Sequence, residues 1–357
     1  MPEQPALHVR PMTEADLNVA AYLGREAMDG LARSQGGDVS PWIPSQPTVF
    51  RHILKTDPGG AWIAELNGVA VGYSMALVRG DIWFLSQLFV QPDQHGHDIG
   101  AVLLRRAQQY GHDRGARVFS VIASTSLAAH ALYMRAGMFA TGIGYRMTGP
   151  LEPLLTLPQS DAGVIDCGGW QDGIADLDRA VFGAERRQDH ALYLGSDEAS
   201  GPKGSFGLAR DGALLGYAYA LANGGFIGPI GAREPEDQLP LLRMAAAWLL
   251  DHETSAGNML VISHNHTLMH ALLAAGWPEP AVDVPADVRA VRAVRPVPPV
   301  GRHAAVGGGR IGSRKLDAGC WTLDGGTGTS PRPSGNPLYL HAVERGSGAT
   351  FVCDSGW

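Results

Sequence analysis

Cysteine is scarce, with Cys167, Cys320 and Cys353 the whole complement of a 357-residue chain. Three widely separated thiols make neither a disulfide framework nor the paired spacing of a zinc site, so a reducing compartment is expected. An excess of basic charge is also missing. Lys and Arg total 28 against 35 Asp and Glu, a formal net charge of −7. A nucleic-acid binder carries a basic domain or stripe to meet phosphates, so nucleic acid is not expected as a partner. No apolar run reaches the ~18 residues of a membrane helix, and the opening MPEQPALHVR has neither a basic n-region nor an apolar h-region. The expectation is no membrane and a cytoplasmic location. What the sequence does have is an ordinary globular composition, 45% hydrophobic and 18% charged, enough to bury cores. At ~100–200 residues per domain the length implies two domains or three small ones.

From Leu7 to Met147 short strand-like runs alternate with amphipathic helical ones. LHVRP reads as a strand, and Thr13 to Asp16 opens a helix in which Thr13 caps and Asp16 reaches back. GAWIAELN and VAVGYSMALVRG form a hairpin joined at Asn67-Gly68, a dipeptide that supplies the positive φ angles of a tight turn. DIWFLSQLFV is a third strand, closed by Pro92. Helix GAVLLRRAQQYGHDRG, strand ARVFSVIAS, helix SLAAHALYMRAGM and a last strand FATGIGYRM follow. The fold class is α/β in the α+β sense, a mixed and mostly antiparallel sheet flanked by helices. Residues 150–162, with three prolines, read as a linker between a first domain at 1–149 and a second at 163–296. The second repeats the order of the first, including a hairpin at Asp211-Gly212. SLAAHALYMRAGM lies over NHTLMHALLAAGW with Ser126 on Asn265 and Gly137 on Gly276, an offset of 139 residues, as two copies of a unit of about 140 residues would give. Residues 297–357 are rich in glycine and proline without period and are expected to be unstructured.

Chemistry concentrates in Leu88-Phe89-Val90-Gln91-Pro92-Asp93-Gln94-His95-Gly96-His97-Asp98-Ile99-Gly100, a strand that enters a helix through a glycine-containing loop. Such a loop aims consecutive amides, and the positive end of the helix dipole, at one spot, which makes a cradle for a diphosphate. A strand-loop-helix junction is more often only structural. Here, however, it follows Val-Gln-Pro and precedes a helix-strand-helix unit ending in Ala-Leu-Tyr-x-x-x-Gly-Met.

With these residues the sequence resembles the GNAT superfamily of acyl-CoA N-acyltransferases, over 7–147 well and over 163–277 more faintly. The family loop is R/Q-x-x-G-x-G/A after V-x-P. V-Q-P and Gly100 match, whereas His95 stands at the Arg/Gln position and Asp98 at the middle glycine. The later motif N-x-x-A-x-x-L-Y-x-x-x-G-F is matched at Ala129, Leu132, Tyr133 and Gly137, with Ser126 for Asn and Met138 for Phe. The resemblance implies a tandem GNAT protein whose first domain is active.

By the same resemblance, acetyl-CoA is the co-substrate, with no metal. It is bound by Leu88, Phe89, Val90, His95, Gly96, His97, Asp98, Ile99, Gly100, Ala101 and Ser126, and Tyr133 is the proton donor to sulfur. The His95/His97 pair has no third metal ligand beside it. No carboxylate occupies the usual base position, where Ser86 and Gln87 stand, which leaves a water relay or His130. Arg105 and Arg106 either meet the CoA 3′-phosphate or are simply solvated. Asp98 either repels the diphosphate or caps the helix beginning at Ile99. In the second copy Ala232 to Gln238 holds no glycine and three acids, and Leu272 replaces Tyr133, so that copy is expected to be degenerate. The acceptor is a small-molecule or peptide amine, and the protein a monomer or homodimer. The rival reading is a non-catalytic acyl-CoA sensor or interaction module on the same fold.

Overall fold

After β1 (Leu7–Pro11) the chain turns at Thr13, whose backbone N–H donates to the Asp16 carboxylate at 2.8 Å. This completes the capping box that starts α1 (Leu17–Ser34). The computed structural model describes residues 6–34, 36, 47–95, 97–195, 201–278 and the backbone of 289–293. The first half continues through α2 (Pro47–Thr56), β2 (Ala61–Leu66), β3 (Val69–Arg79), β4 (Ile82–Val90), α3 (Ile99–Asp113), β5 (Val118–Ala123), α4 (Leu127–Arg135), β6 (Met138–Ala140) and β7 (Gly144–Pro150). The second half runs β8 (Gly163–Ile165), α5 (Gln171–Val181), α6 (Arg187–Leu194), β9 (Lys203–Arg210), β10 (Ala213–Leu221), β11 (Phe226–Ala232), α7 (Gln238–Asp251), β12 (Ala256–Ile262), α8 (His266–Ala274) and β13 (Arg289–Ala293). Both hairpins turn as read. Asn67 and Gly68 have φ of 51° and 80°, and Asp211 and Gly212 of 50° and 76°.

Two mixed sheets result, ordered β1-β2-β3-β4-β5-β13-β6 and β7-β12-β11-β10-β9-β8. Helices α1 and α2 cover one face of the first sheet, burying Leu23, Phe50 and Ile53 against Ile63, Tyr73 and Met75. Helix α3 covers the other face, with Leu103 against Val71 and Val90, and Leu104 against Trp83 and Val121. In the second half α7 places Leu241, Leu242, Ala245 and Leu249 on Ala218, Ile227 and Met259.

The stretch FATGIGYRM, expected as one strand, breaks into two that belong to different sheets. At the break the Ile143 N–H donates to Ser263 Oγ at 3.1 Å and Ser263 N–H to the Ile143 carbonyl at 2.7 Å. A Cβ on Gly142 would stand 2.9 Å from the His264 ring, so a larger residue there would displace that side chain. Strand β7 then pairs along its whole length with β12, from Gly144 opposite Ile262 to Pro150 opposite Ala256. In return β13 inserts between β5 and β6. Each half thus lends a strand to the sheet of the other. The stretch 150–162, expected as a linker, packs instead. Leu151 and Leu154 are fully buried in the second core, because the Pro150 carbonyl is held by Trp277 Nε1 at 2.9 Å and Leu151 N–H by the Ser255 carbonyl at 3.0 Å.

A buried ion cluster also joins the halves. Arg79, 2% exposed, donates through Nη1 to Asp57 at 2.7 Å and grips Asp189 on α6 through Nη2 at 2.5 Å and Nε at 2.7 Å. His52 Nε2 reaches the same Asp189 at 2.9 Å. The tail at 297–357 lies outside the described residues.

Candidate functional site

Strand β4 pairs with β3 up to Val90. The register moves from Gln87 opposite Met75 to Leu85 opposite Ala76, so Ser86 is an extra residue, a β-bulge. Pairing with the parallel strand β5 covers only Ile82–Leu85 against 118–121, and past the bulge the two strands part. Gln91 N–H donates to the Val71 carbonyl at 2.9 Å. Alternation along the strand therefore turns the backbone groups of Leu88 and Val90 away from β3 and into the gap. The outward Val90 carbonyl accepts from His95 Nε2 at 3.1 Å.

The loop below the gap makes one 3-10 turn, Pro92–Gln94, before α3. Asp98 has φ 57° and ψ 9°, a left-handed conformation, and its side chain makes no capping bond. Its carbonyl accepts from Val102 N–H at 3.0 Å. The capping alternative therefore does not describe this residue, which adopts the backbone that a glycine takes most easily. Gly96 lies outside the described residues. Ile99 is buried, Ala101 is half-buried and His97 exposed. The missing Cβ of Gly100 would lie 3.5 to 3.8 Å from Leu132, Leu88 and Val90. These are ordinary contact distances, so a Cβ there would face α4 and β4 and not the loop.

Ser126 caps α4, its hydroxyl accepting from Ala129 N–H at 3.3 Å. His130 donates through Nε2 to the Ser124 carbonyl at 2.8 Å, and Arg106 stacks on Trp62 at 5.5 Å. A further pair was not anticipated: buried Gln87 accepts from the Tyr73 hydroxyl at 2.5 Å, under Gly24, where a Cβ would come within 2.6 Å of that oxygen. The available signal was Gln87 itself, a polar residue in an apolar strand.

Tyr133 is 5% exposed in the cluster that holds Leu85 and Val121, with Leu88 packed beside it. Burial pushes its phenol well above the usual range, so the hydroxyl keeps its proton at neutral pH. Among the described residues that hydroxyl has no hydrogen-bond partner, which is uncommon for a buried tyrosine.

The second half copies the frame and changes the site. Helices α3 and α7 begin at 99 and 238, and α4 and α8 at 127 and 266, an offset of 139 in each case. Asn265 caps α8 as Ser126 caps α4, and Gly137 and Gly276 both take positive φ after their helices, 81° and 77°. At that offset Leu239 replaces Gly100, and Leu272, fully buried, replaces Tyr133. Asn265 Nδ2 donates to Gln238 Oε1 at 2.7 Å, both residues buried, and this ties the starts of α7 and α8 together. On the opposite face, buried Asp178 binds Arg186 and His190, and His190 Nδ1 meets the Tyr219 hydroxyl at 2.9 Å. Burial pushes the Asp178 carboxyl up, but the bonds from His190 and Arg186 outweigh it and hold it below the usual range. The Tyr217 hydroxyl joins the same network through Asp178 and Arg186.

Among the described residues no group of three or more His, Cys, Asp or Glu is arranged to hold a metal, and no helix is long and apolar enough to cross a membrane. Residues 26–138 match the model of the Acetyltransferase (GNAT) family. An uncharacterized N-acetyltransferase of Methanocaldococcus jannaschii is 29% identical over 76 residues, which are 19% of this chain and 34% of that protein. The match thus spans about a third of that relative's length. A putative acetyltransferase of Pyrococcus horikoshii shares the architecture at a TM-score of 0.60 and 17% identity, covering 81% of this chain and 90% of that one. A tandem GNAT protein from the clavulanic acid biosynthesis pathway does so at 0.54 and 18%, covering 81% and 98%. Residues 26–138 are thus similar to the Acetyltransferase (GNAT) family, and the two halves together share the fold of the tandem GNAT protein.

Proposed function

We propose that the first half transfers an acetyl group from acetyl-CoA to a primary amine of a small molecule or peptide. The observation that carries this reading is the parting of β4 from β5 past the Ser86 bulge, with the unpartnered Tyr133 hydroxyl in the adjoining cluster. An outward N–H of Leu88 or Val90 would hold the thioester carbonyl oxygen as it gains charge. The amine attacks the carbonyl carbon, a C–N bond forms and the C–S bond breaks. The departing thiolate takes the phenolic proton of Tyr133, which solvent restores. Gln87 is no base, so the amine proton passes to water or to His130, whose Nδ1 is the accepting nitrogen while Nε2 donates to Ser124. The second half, with Leu239, Leu272 and the Asn265–Gln238 tie, does not bind the donor in this reading. The expected location is the cytoplasm.

The test is thiol release from acetyl-CoA against a panel of amines. Tyr133→Phe is expected to lower kcat by roughly 10²–10⁴ with acetyl-CoA affinity unchanged, because the hydroxyl acts only as sulfur leaves. Acetyl-CoA binding without thiol release on any amine would favour a sensor on the same fold instead.

A further inference from the structure

The donor loop holds no permanent cation. From Gln91 to Leu104 the charged side chains are Asp93 and Asp98, with no Lys or Arg, and the histidines are His95 and His97. The next basic residues are Arg105 and Arg106, and Arg106 is stacked on Trp62. With both imidazoles neutral the loop carries −2, and with both protonated it is neutral. A diphosphate approaching the first state meets two like charges with only amides and the helix end to offset them.

The two rings are held so that a second proton changes their charge without breaking their bonds. His95 Nε2 lies 3.1 Å from the Val90 carbonyl and His97 Nδ1 3.3 Å from the Gln94 carbonyl. A carbonyl only accepts, so these nitrogens already carry hydrogen. His95 Nδ1 and His97 Nε2 remain to take the second proton, and among the described residues neither has a protein partner. Asp98, which follows His97, makes no ion pair with either ring among the described residues. Helix α1 packs on the loop where Gly30 meets Pro92 and bears Arg25 paired with Asp29. Helix α4 packs on Gly100 through Leu132 and bears His130, fixed on Ser124, and Arg135.

From this we propose that the loop binds its diphosphate with protonated His95 and His97 in place of a permanent cation, so that donor binding takes up protons and tightens as pH falls. The proposal rests on the donor reading above. Histidine changes charge between about pH 5 and 8, and an adjacent anion favours the charged form. Protons therefore enter with the ligand. The affinity gain is fully present at acid pH and lost as the imidazoles deprotonate.

The probe is dephospho-CoA, whose diphosphate keeps a constant charge over this range and which lacks the titrating 3′-phosphate. Titration calorimetry on the full chain is expected to give about tenfold tighter binding at pH 5.5 than at pH 8.0, the size of two surface charge pairs. The double variant His95→Gln, His97→Gln is expected to vary less than about twofold, and its circular dichroism reports whether it folds. If it does not, the unaltered chain still answers. Calorimetry near pH 6.5 in two buffers of different ionisation enthalpy is expected to show about half a proton taken up per ligand, as a tenfold change in affinity over this range requires. A flat profile in the unaltered chain, an undiminished rise in the double variant, or no proton uptake overturns the proposal. Absence of binding by both CoA and dephospho-CoA at every pH overturns the donor reading itself, and the proposal with it.

Discussion

Asp98 shows how one residue type holds a loop in a shape usually given to glycine. Short polar side chains enter the left-handed region more readily than others, yet for an L-residue this still costs about 1–2 kcal/mol. Asp98→Gly relieves that cost and forfeits about 0.5–1 kcal/mol of chain entropy. No capping bond is lost, since none is made. The variant is expected to fold with a thermal midpoint equal to or slightly above that of the parent and to bind CoA more tightly at pH 8, an advantage that shrinks in added salt. A clear fall in the midpoint would return Asp98 to a capping role. Ser126 stands where the later motif has Asn, and its hydroxyl caps its own helix.

At the scale of elements the β3–β4 corner and α6 are one unit. A Cβ on Gly80 would touch Ala184 at 2.9 Å, and Arg79 binds Asp57 and Asp189 from opposite sides. Burial pushes the Asp189 carboxyl up, but hydrogen bonds from His52 and Arg79 and the Arg79 charge outweigh it and hold it well below the usual carboxylate range. A depressed folded value means that the stability it contributes is present above the unfolded value, about 3.9 for aspartate, and is lost as pH falls from there through the folded value. Asp189→Asn leaves the buried guanidinium half-paired and is expected to cost about 3 kcal/mol, read from urea midpoints at pH 7. Between pH 5 and 3 the variant is expected to lose less stability than the parent. An equal acid slope in both would place the acid-sensitive group elsewhere.

For the whole molecule the strand exchange matters most. Among the described residues strand β6 pairs only with β13, and β13 is also the outer partner of β5. A chain ended at residue 288 is expected to lose protection at 118–123 and 138–140 in hydrogen exchange, while the second sheet, whose six strands all precede that point, keeps its protection. Uniform loss across both sheets would mean that the halves unfold as one, and no loss would mean that β13 contributes little. The same exchange explains why the proline-bearing stretch at 150–162 is not a simple tether: β7 has already entered the second sheet when Leu151 and Leu154 are buried there.

The sequence by itself determined whatever rests on neighbours along the chain. Asn67-Gly68 and Asp211-Gly212 make their turns, Asp16 reaches back to Thr13, and the periodic stretches became helices whose repeat at 139 residues survives to the caps. Local φ preferences and hydrophobic period fix such features within a few residues. Tertiary structure alone decided which edge a strand pairs with and which polar groups meet. FATGIGYRM reads as one strand because its alternation carries no record of the sheet it faces, and pairing across more than 100 residues, as between Pro150 and Ala256, is set by packing. The Arg79–Asp189 contact, the Tyr73–Gln87 pair under Gly24 and the solitary hydroxyl of Tyr133 are likewise meetings of distant residues, and no spacing in the chain encodes them.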